Sequence, residues 1–255
     1  SPQYGTIKSS ENYERRFIMT FPNETLPKGR KQKTTALYDR FVNQGAVMGD
    51  SFGLENVLWF ANNKEDAHEE PTIKRSRSHD YVSREVINVR ENVGLIEVAN
   101  FSKHEFKGPD ARKFLDHVMA GKLPKPGRIS LSPMLSYRGK LCGDLTVACL
   151  DENEFMVFGS GAAQEMHRRW FESHLDKFDV NYKNRSDEFH GISIAGPNSR
   201  KVLEKIVRDD VSNEKFKFRD SRRMFVGGVP AIINRISFTG ELGYEIYVAP
   251  HYQIK

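Results

Sequence analysis

The 255-residue chain has only two cysteines, Cys142 and Cys149. That excludes a disulfide scaffold and reads as two small strand residues in a reducing compartment. Neither they nor the eight histidines recur at ligand spacing, so the sequence makes no case for a metal site. No apolar run approaches membrane-spanning length, and the N-terminus lacks a signal-peptide pattern. A basic stripe is missing as well. The 39 Lys and Arg are interleaved with 34 Asp and Glu, so the net charge of +5 permits a small anionic ligand and argues against nucleic acid. The expected compartment is the cytoplasm, or the mitochondrial matrix in a eukaryote.

What is present is ordinary for a folded chain: 38% hydrophobic and 29% charged residues, enough length for one or two domains. Residues 1–36 are polar and broken by Pro2, Pro22, Pro27 and Gly29, which predicts an extended arm or linker. The globular part is expected over 37–255, with a short capped helix from Thr34 to Phe41. Residues 62–80 read as a surface loop. Tyr81–Val93 reads as a helix with Val82, Val86, Val89 and Val93 on one stripe, C-capped by Gly94. Strands follow at Gly94–Phe101 and Lys103–Lys107.

A repeat lies in the middle of the chain. Gly108-Pro109-Asp110-Ala111-Arg112-Lys113-Phe114-Leu115 returns as Gly196-Pro197-Asn198-Ser199-Arg200-Lys201-Val202-Leu203. Each copy follows a strand and opens a helix, with Asp110 or Asn198 placed as N-cap. It is either a coincidence of capping motifs or the mark of two related α+β lobes. Between the copies, Gly139 marks a hairpin and Asp144 opens the strand Leu145–Leu150. An Asp there reads as a turn or cap residue, or as a group kept for chemistry. Further on, Phe158-Gly159-Ser160-Gly161 leads into a helix from Gln164 to Leu175. This is not a dinucleotide fingerprint, since it follows a hairpin and no acidic strand end comes after it, though its turn can place N–H groups at a ligand.

Near the C-terminus two strand-like runs flank a turn at Gly240 and Gly243: Ile236-Ser237-Phe238-Thr239-Gly240-Glu241-Leu242-Gly243-Tyr244-Glu245-Ile246-Tyr247-Val248. Alternation sets Tyr244, Ile246 and Val248 on one face and Glu245 and Tyr247 on the other. Glu245 is then either a solvated strand carboxylate or an acceptor for two parallel N–H groups of a flat heterocycle.

This segment resembles the GYTGE-x-G-x-E signature of the folate-dependent aminomethyltransferases, the glycine-cleavage T-protein superfamily, with Phe238 in place of the usual Tyr. Leu131 to Val147 resembles that family's ML-x3-GG-x3-DLTV motif, with Lys140 in place of the second Gly. The stretch from Leu37-Tyr38 through Gly45-Ala46, Gly49, Gly53 and Glu55 to Trp59-Phe60 is most similar to the folate-binding half of dimethylglycine and sarcosine dehydrogenases. The resemblance implies a cloverleaf of two related α+β lobes around a folate hole, with a C-terminal barrel lobe missing from this chain. It implies capture of an iminium or formaldehyde unit on tetrahydrofolate to give 5,10-methylenetetrahydrofolate. Asp144 would be catalytic; Phe101, Leu131, Phe158, Ser160, Phe238 and Glu245 would bind the folate. FAD would enter only through an upstream oxidase domain or subunit, with a methylated amine such as dimethylglycine or sarcosine as donor. The alternatives are a demethylase acting directly on a sulfonium or amine, and a non-catalytic regulatory relative.

Overall fold

A computed structural model describes residues 2–22 and 24–255. The chain divides into two compact units, Ser1–Ile87 and Asn88–Lys255.

The first unit opens with a helix, α1 (Pro2–Glu14), where an extended arm was expected. The prolines and Gly29 that suggested an arm lie outside this helix or, for Pro2, at its first position, where a missing N–H costs nothing. A short helix α2 (Tyr38–Asn43) precedes a two-stranded hairpin, β1 (Ala46–Ser51) and β2 (Leu54–Phe60). Leu37 stands at the α2 N-cap, so the expected threonine cap does not form. The hairpin turns through Phe52 and Gly53, both at positive φ (53° and 88°), as a two-residue turn requires. Val47, Trp59 and Ala61 form its small core, with the Tyr81 ring tilted against Trp59, centroids 4.9 Å apart. Buried Glu55 is gripped by the Arg30 guanidinium through both oxygens.

Helix α3 (Ser78–Glu91) runs through the boundary between the units. Its valines do not form a core stripe: Val82 and Val86 are 36% and 49% exposed. Gly94 is no cap but the first residue of β3 (Gly94–Glu97). The single strand expected over 94–101 is cut short, and the chain passes from one sheet to another before β4 (Ser102–Lys107).

The second unit holds two five-stranded antiparallel sheets of the same plan. In one, β4 is followed by α4 (Ala111–Val118), then by the meander β5 (Arg128–Leu135), β6 (Leu141–Asp151) and β7 (Glu154–Gly159). Helix α5 (Gln164–Glu172) and the edge strand β8 (Asn181–Asn184) complete it, in the order β5-β6-β7-β4-β8. In the other, β9 (His190–Ala195) leads into α6 (Ser199–Leu203) and the meander β10 (Ser221–Val226), β11 (Val229–Asn234) and β12 (Gly243–Val248). Its order is β10-β11-β12-β9-β3. The place held by β8 in the first sheet is held by β3, an earlier piece of chain. The repeated Gly-Pro turns sit at matching points, with Gly108 and Gly196 at φ 137° and 126°. Asp110 and Asn198 occupy N-cap positions with nearly equal dihedrals, yet neither side chain caps its helix. The fold is α+β with two related lobes.

Each sheet buries one face under its own helices. Phe106, Phe114, Leu145, Val157 and Phe171 fill the first of these cores, and Leu203, Phe216, Ile233 and Tyr244 the second. The remaining faces meet in a third core that contains Ile129, Ala148, Met156 and Phe158 of one sheet and Ile232 and Tyr247 of the other.

Candidate functional site

Strand β12 alternates as its sequence requires. Tyr244 and Val248 enter the core of their own lobe, while Glu245 and Tyr247 point to the inter-sheet core. Glu245 is not a solvated strand residue: it is only 7% exposed. The Tyr247 hydroxyl donates to its Oε2 at 2.9 Å. Asn234, opposite Glu245 in the β11–β12 ladder, accepts from the Ser221 hydroxyl at 2.7 Å. Its amide nitrogen has no well-formed protein partner and lies toward Glu245. Burial raises the Glu245 pKa above the usual carboxylate range, opposed by the Tyr247 hydroxyl, the Asn234 amide and the charge of Lys103.

The facing sheet supplies the walls. Phe158 stacks on Tyr247 with ring centroids 4.5 Å apart. Lys103, paired with Phe158 across the β4–β7 ladder, is wholly buried and donates to the Ala99 carbonyl at 2.8 Å. Phe101, half-buried, packs against the same core. By strand alternation, Leu131 and Asp144 lie on this face too: Leu131 is paired with Thr146, which is also opposite Phe158, and Asp144 with Pro133. Both are exposed, Leu131 at 64%, so they form the open rim of a face whose far end is closed. Asp144 sits inside β6 rather than opening it. Its neighbour Pro133 has no N–H to offer the ladder, which eases a poor strand former into that place.

Two residues singled out in the sequence stand apart. Ser160 follows β7, exposed, at the start of a 3-10 turn, where its carbonyl accepts from Ala163 N–H. Phe238 is 98% exposed. The run Ile236–Phe238 is loop rather than strand, and of the two turn glycines only Gly240 has positive φ (80°). Gly243 opens β12, where a Cβ would lie 2.5 Å from that of Ser237.

Sequence reasoning missed Lys103 and Asn234. The run Ser102-Lys103-His104-Glu105 reads as an exposed polar edge, yet β4 lies between β7 and β8 and all four residues are buried. Tyr247 was within reach, since it shares a face with Glu245. The inter-sheet core thus holds a desolvated carboxylate, a stacked aromatic pair and a buried cation, and the sheet face that carries Phe158 also carries the solvent-exposed Asp144. That arrangement suits a flat, polar ring bound at its edge.

The family described as the GCVT N-terminal domain matches residues 37–255. The chain belongs to this family. It is 34% identical over 249 residues to mitochondrial dimethylglycine dehydrogenase of Homo sapiens, covering 96% of this chain and 28% of that protein. It is 30% identical over 217 residues to an aminomethyltransferase of Thermosipho melanesiensis, covering 84% of this chain and 54% of that protein. These relatives are enzymes, and the chain spans at most about half of either. Among solved structures, the glycine cleavage system aminomethyltransferase T of Bartonella henselae shares the fold, with a TM-score of 0.71 at 21% identity, covering 88% of this chain and 55% of that one. No helix among the described residues is long and apolar enough to cross a membrane.

Proposed function

We propose that this chain is the folate-binding part of a one-carbon transferase, taking an iminium or formaldehyde unit from a methylated amine to give 5,10-methylenetetrahydrofolate. The observation that carries this reading is Glu245, a carboxylate buried against stacked aromatic rings with a neighbouring amide donor to spare. The donor set fits a reduced pterin. Glu245 would accept from the ring's amino and ring N–H groups, and the Asn234 amide would donate to a ring oxygen or nitrogen. Phe158 and Phe101 would flank the ring. Tetrahydrofolate, as acceptor, supplies the two amine nitrogens that take up the carbon.

Asp144, on the open rim of the same face, would stand toward those nitrogens. Its carboxylate stabilises the developing cationic charge and accepts the proton of one folate nitrogen, while the proton of the other leaves with the departing amine, or with water when the carbon comes from formaldehyde. Leu131 would pack beside it, and Ser160 would border the mouth. Phe238 would join only through a movement of its loop, so it is the weakest member of the proposed set. A flavin oxidase domain or subunit would generate the one-carbon unit, as the similarity to dimethylglycine dehydrogenase suggests. The compartment would then be the cytoplasm, or the mitochondrial matrix in a eukaryote.

The test is a pair of variants assayed for capture of formaldehyde on tetrahydrofolate. Asp144→Asn should lower kcat by about a hundredfold or more, the usual range for a lost general base, with folate affinity nearly unchanged. Glu245→Gln should weaken folate binding by about tenfold or more and affect turnover of the bound complex little. Equal losses of affinity in both variants would contradict this division, and a wild-type chain that binds no reduced folate would remove the assignment.

A further inference from the structure

Behind the sheet face that carries Asp144 and Phe158, the core of the lobe ends in a polar patch that the proposed reaction does not use. It lies under α5. The Ser102 hydroxyl and His104 Nε2 are buried there without a well-formed hydrogen bond, and the ring nitrogens of His167 have only a poorly formed one, to the Cys142 backbone. His104 keeps one partner, the Tyr182 hydroxyl at 2.9 Å from Nδ1. The two imidazoles are 6.2 Å apart, edge to face. Buried polar atoms in this state are uncommon and are retained where something other than packing needs them.

The position of the His167 ring indicates what that is. At Gly143 a Cβ would lie 2.8 Å from His167 Nε2, and at Gly159 it would lie 3.1 Å from both His167 Nδ1 and the Ser102 hydroxyl. Neither glycine has positive φ, so crowding rather than backbone conformation excludes a side chain: the ring itself at Gly143, and at Gly159 first Leu145 Cδ2, 2.5 Å from the Cβ position, with the ring next. Gly143 immediately precedes Asp144. Gly159 separates Phe158 from Ser160. Ser102 follows Phe101. The His167 ring therefore lies closest to the β6 backbone at Gly143, beside Asp144, and also borders Gly159 of β7 and His104 of β4.

We propose that His167 is a positioning residue for the one-carbon site. Its ring, wedged against Gly143, sets where Asp144 stands relative to Phe158. The inference rests on the folate-capture reading for its effect on turnover, but its structural part does not. A catalytic carboxylate has to be held to within about half an ångström, and a wedge behind its strand is a direct way to do so.

The test uses this chain with His167→Ala, Gly143→Ala and the double variant. In the crystal structure of His167→Ala, the Asp144 backbone should shift toward the vacated ring by about half an ångström or more relative to Phe158. In the capture assay, His167→Ala and Gly143→Ala should each lower kcat by about tenfold or more, with folate affinity within about twofold of wild type. The double variant, in which the new methyl no longer meets a ring, should recover to within about threefold of wild type. An unmoved Asp144, or additive losses in the double variant, would overturn the proposal. So would a lower melting temperature with kcat per folded molecule unchanged. A wild-type chain inactive with folate would count against the functional reading alone, because the displacement of Asp144 is measured without ligand. Should His167→Ala fail to fold, the rescue of Gly143→Ala by His167→Gly gives the same decision.

Discussion

Glu245 carries its carboxylate into the space between two sheets, with the Tyr247 hydroxyl on one oxygen and Asn234 and Lys103 nearby. The hydroxyl fixes the carboxylate's plane, so it should matter to binding although it need not touch the ligand. Tyr247→Phe removes one hydrogen bond to a charged group, worth about 1.5–3 kcal/mol, and keeps the ring stacked on Phe158. Folate affinity should fall by about tenfold or more in a calorimetric titration, while kcat of the bound complex stays close to wild type. At this scale Glu245 and its aromatic neighbour were legible, because period-two alternation put both on one face. Lys103 was not, since a lysine in a polar run gives no sign that tertiary context will bury it. Phe238 shows the opposite failure. Its place in a recognisable signature says nothing of exposure, and its loop leaves it in solvent.

The strand–turn–helix units repeat because each needs the chain to turn sharply against another backbone. At Gly196 a Cβ would stand 2.4 Å from the Asn92 carbonyl oxygen, and at Gly108 2.7 Å from that of Asp179, each with φ in the region glycine favours. Gly196→Ala should therefore cost about 2 kcal/mol or more in urea unfolding. Gly127→Ala, where φ is 75° but nothing lies within 4 Å, should cost only about 1 kcal/mol. The repeat itself was visible in eight consecutive residues of each copy. The expected N-caps were not realised. Asp110 instead accepts from the Asp179 N–H at 3.1 Å and pairs with Lys113 at 2.7 Å. A local rule identified the position and a tertiary contact took the side chain. The first part of the expected arm, Pro2–Glu14, became a helix for a related reason: proline marks where a helix starts as well as where a chain is broken.

At the scale of the whole molecule, two sheets of equal plan share one inter-sheet core, and the proposed ligand site is the part of that interface with polar lining. Its strand order could not be read from the sequence, because β3 belongs to one sheet and β4, a few residues later, to the other. No local pattern announces such a crossing. The buried histidines behind the site link this architecture to pH. Burial, aided by the neighbouring His167, lowers the His104 pKa from 6.5 to about 3, and burial lowers that of His167 as well. Between those limits the unfolded chain binds protons that the folded one does not. The stability these two histidines contribute is full above about pH 6.5 and should decline as pH falls toward 3, each unit of depression corresponding to about 1.4 kcal/mol. Denaturant titrations at pH 7 and pH 5 should show the loss, and His104→Phe should reduce it.

The most direct test of the account is a crystal structure of the chain with a non-reactive reduced-folate analogue. The pterin edge should lie on the Glu245 carboxylate, its ring beside Phe158, and the far end of the pterin should lead toward Asp144. An analogue bound away from Glu245, or one whose one-carbon nitrogens face away from Asp144, would contradict it.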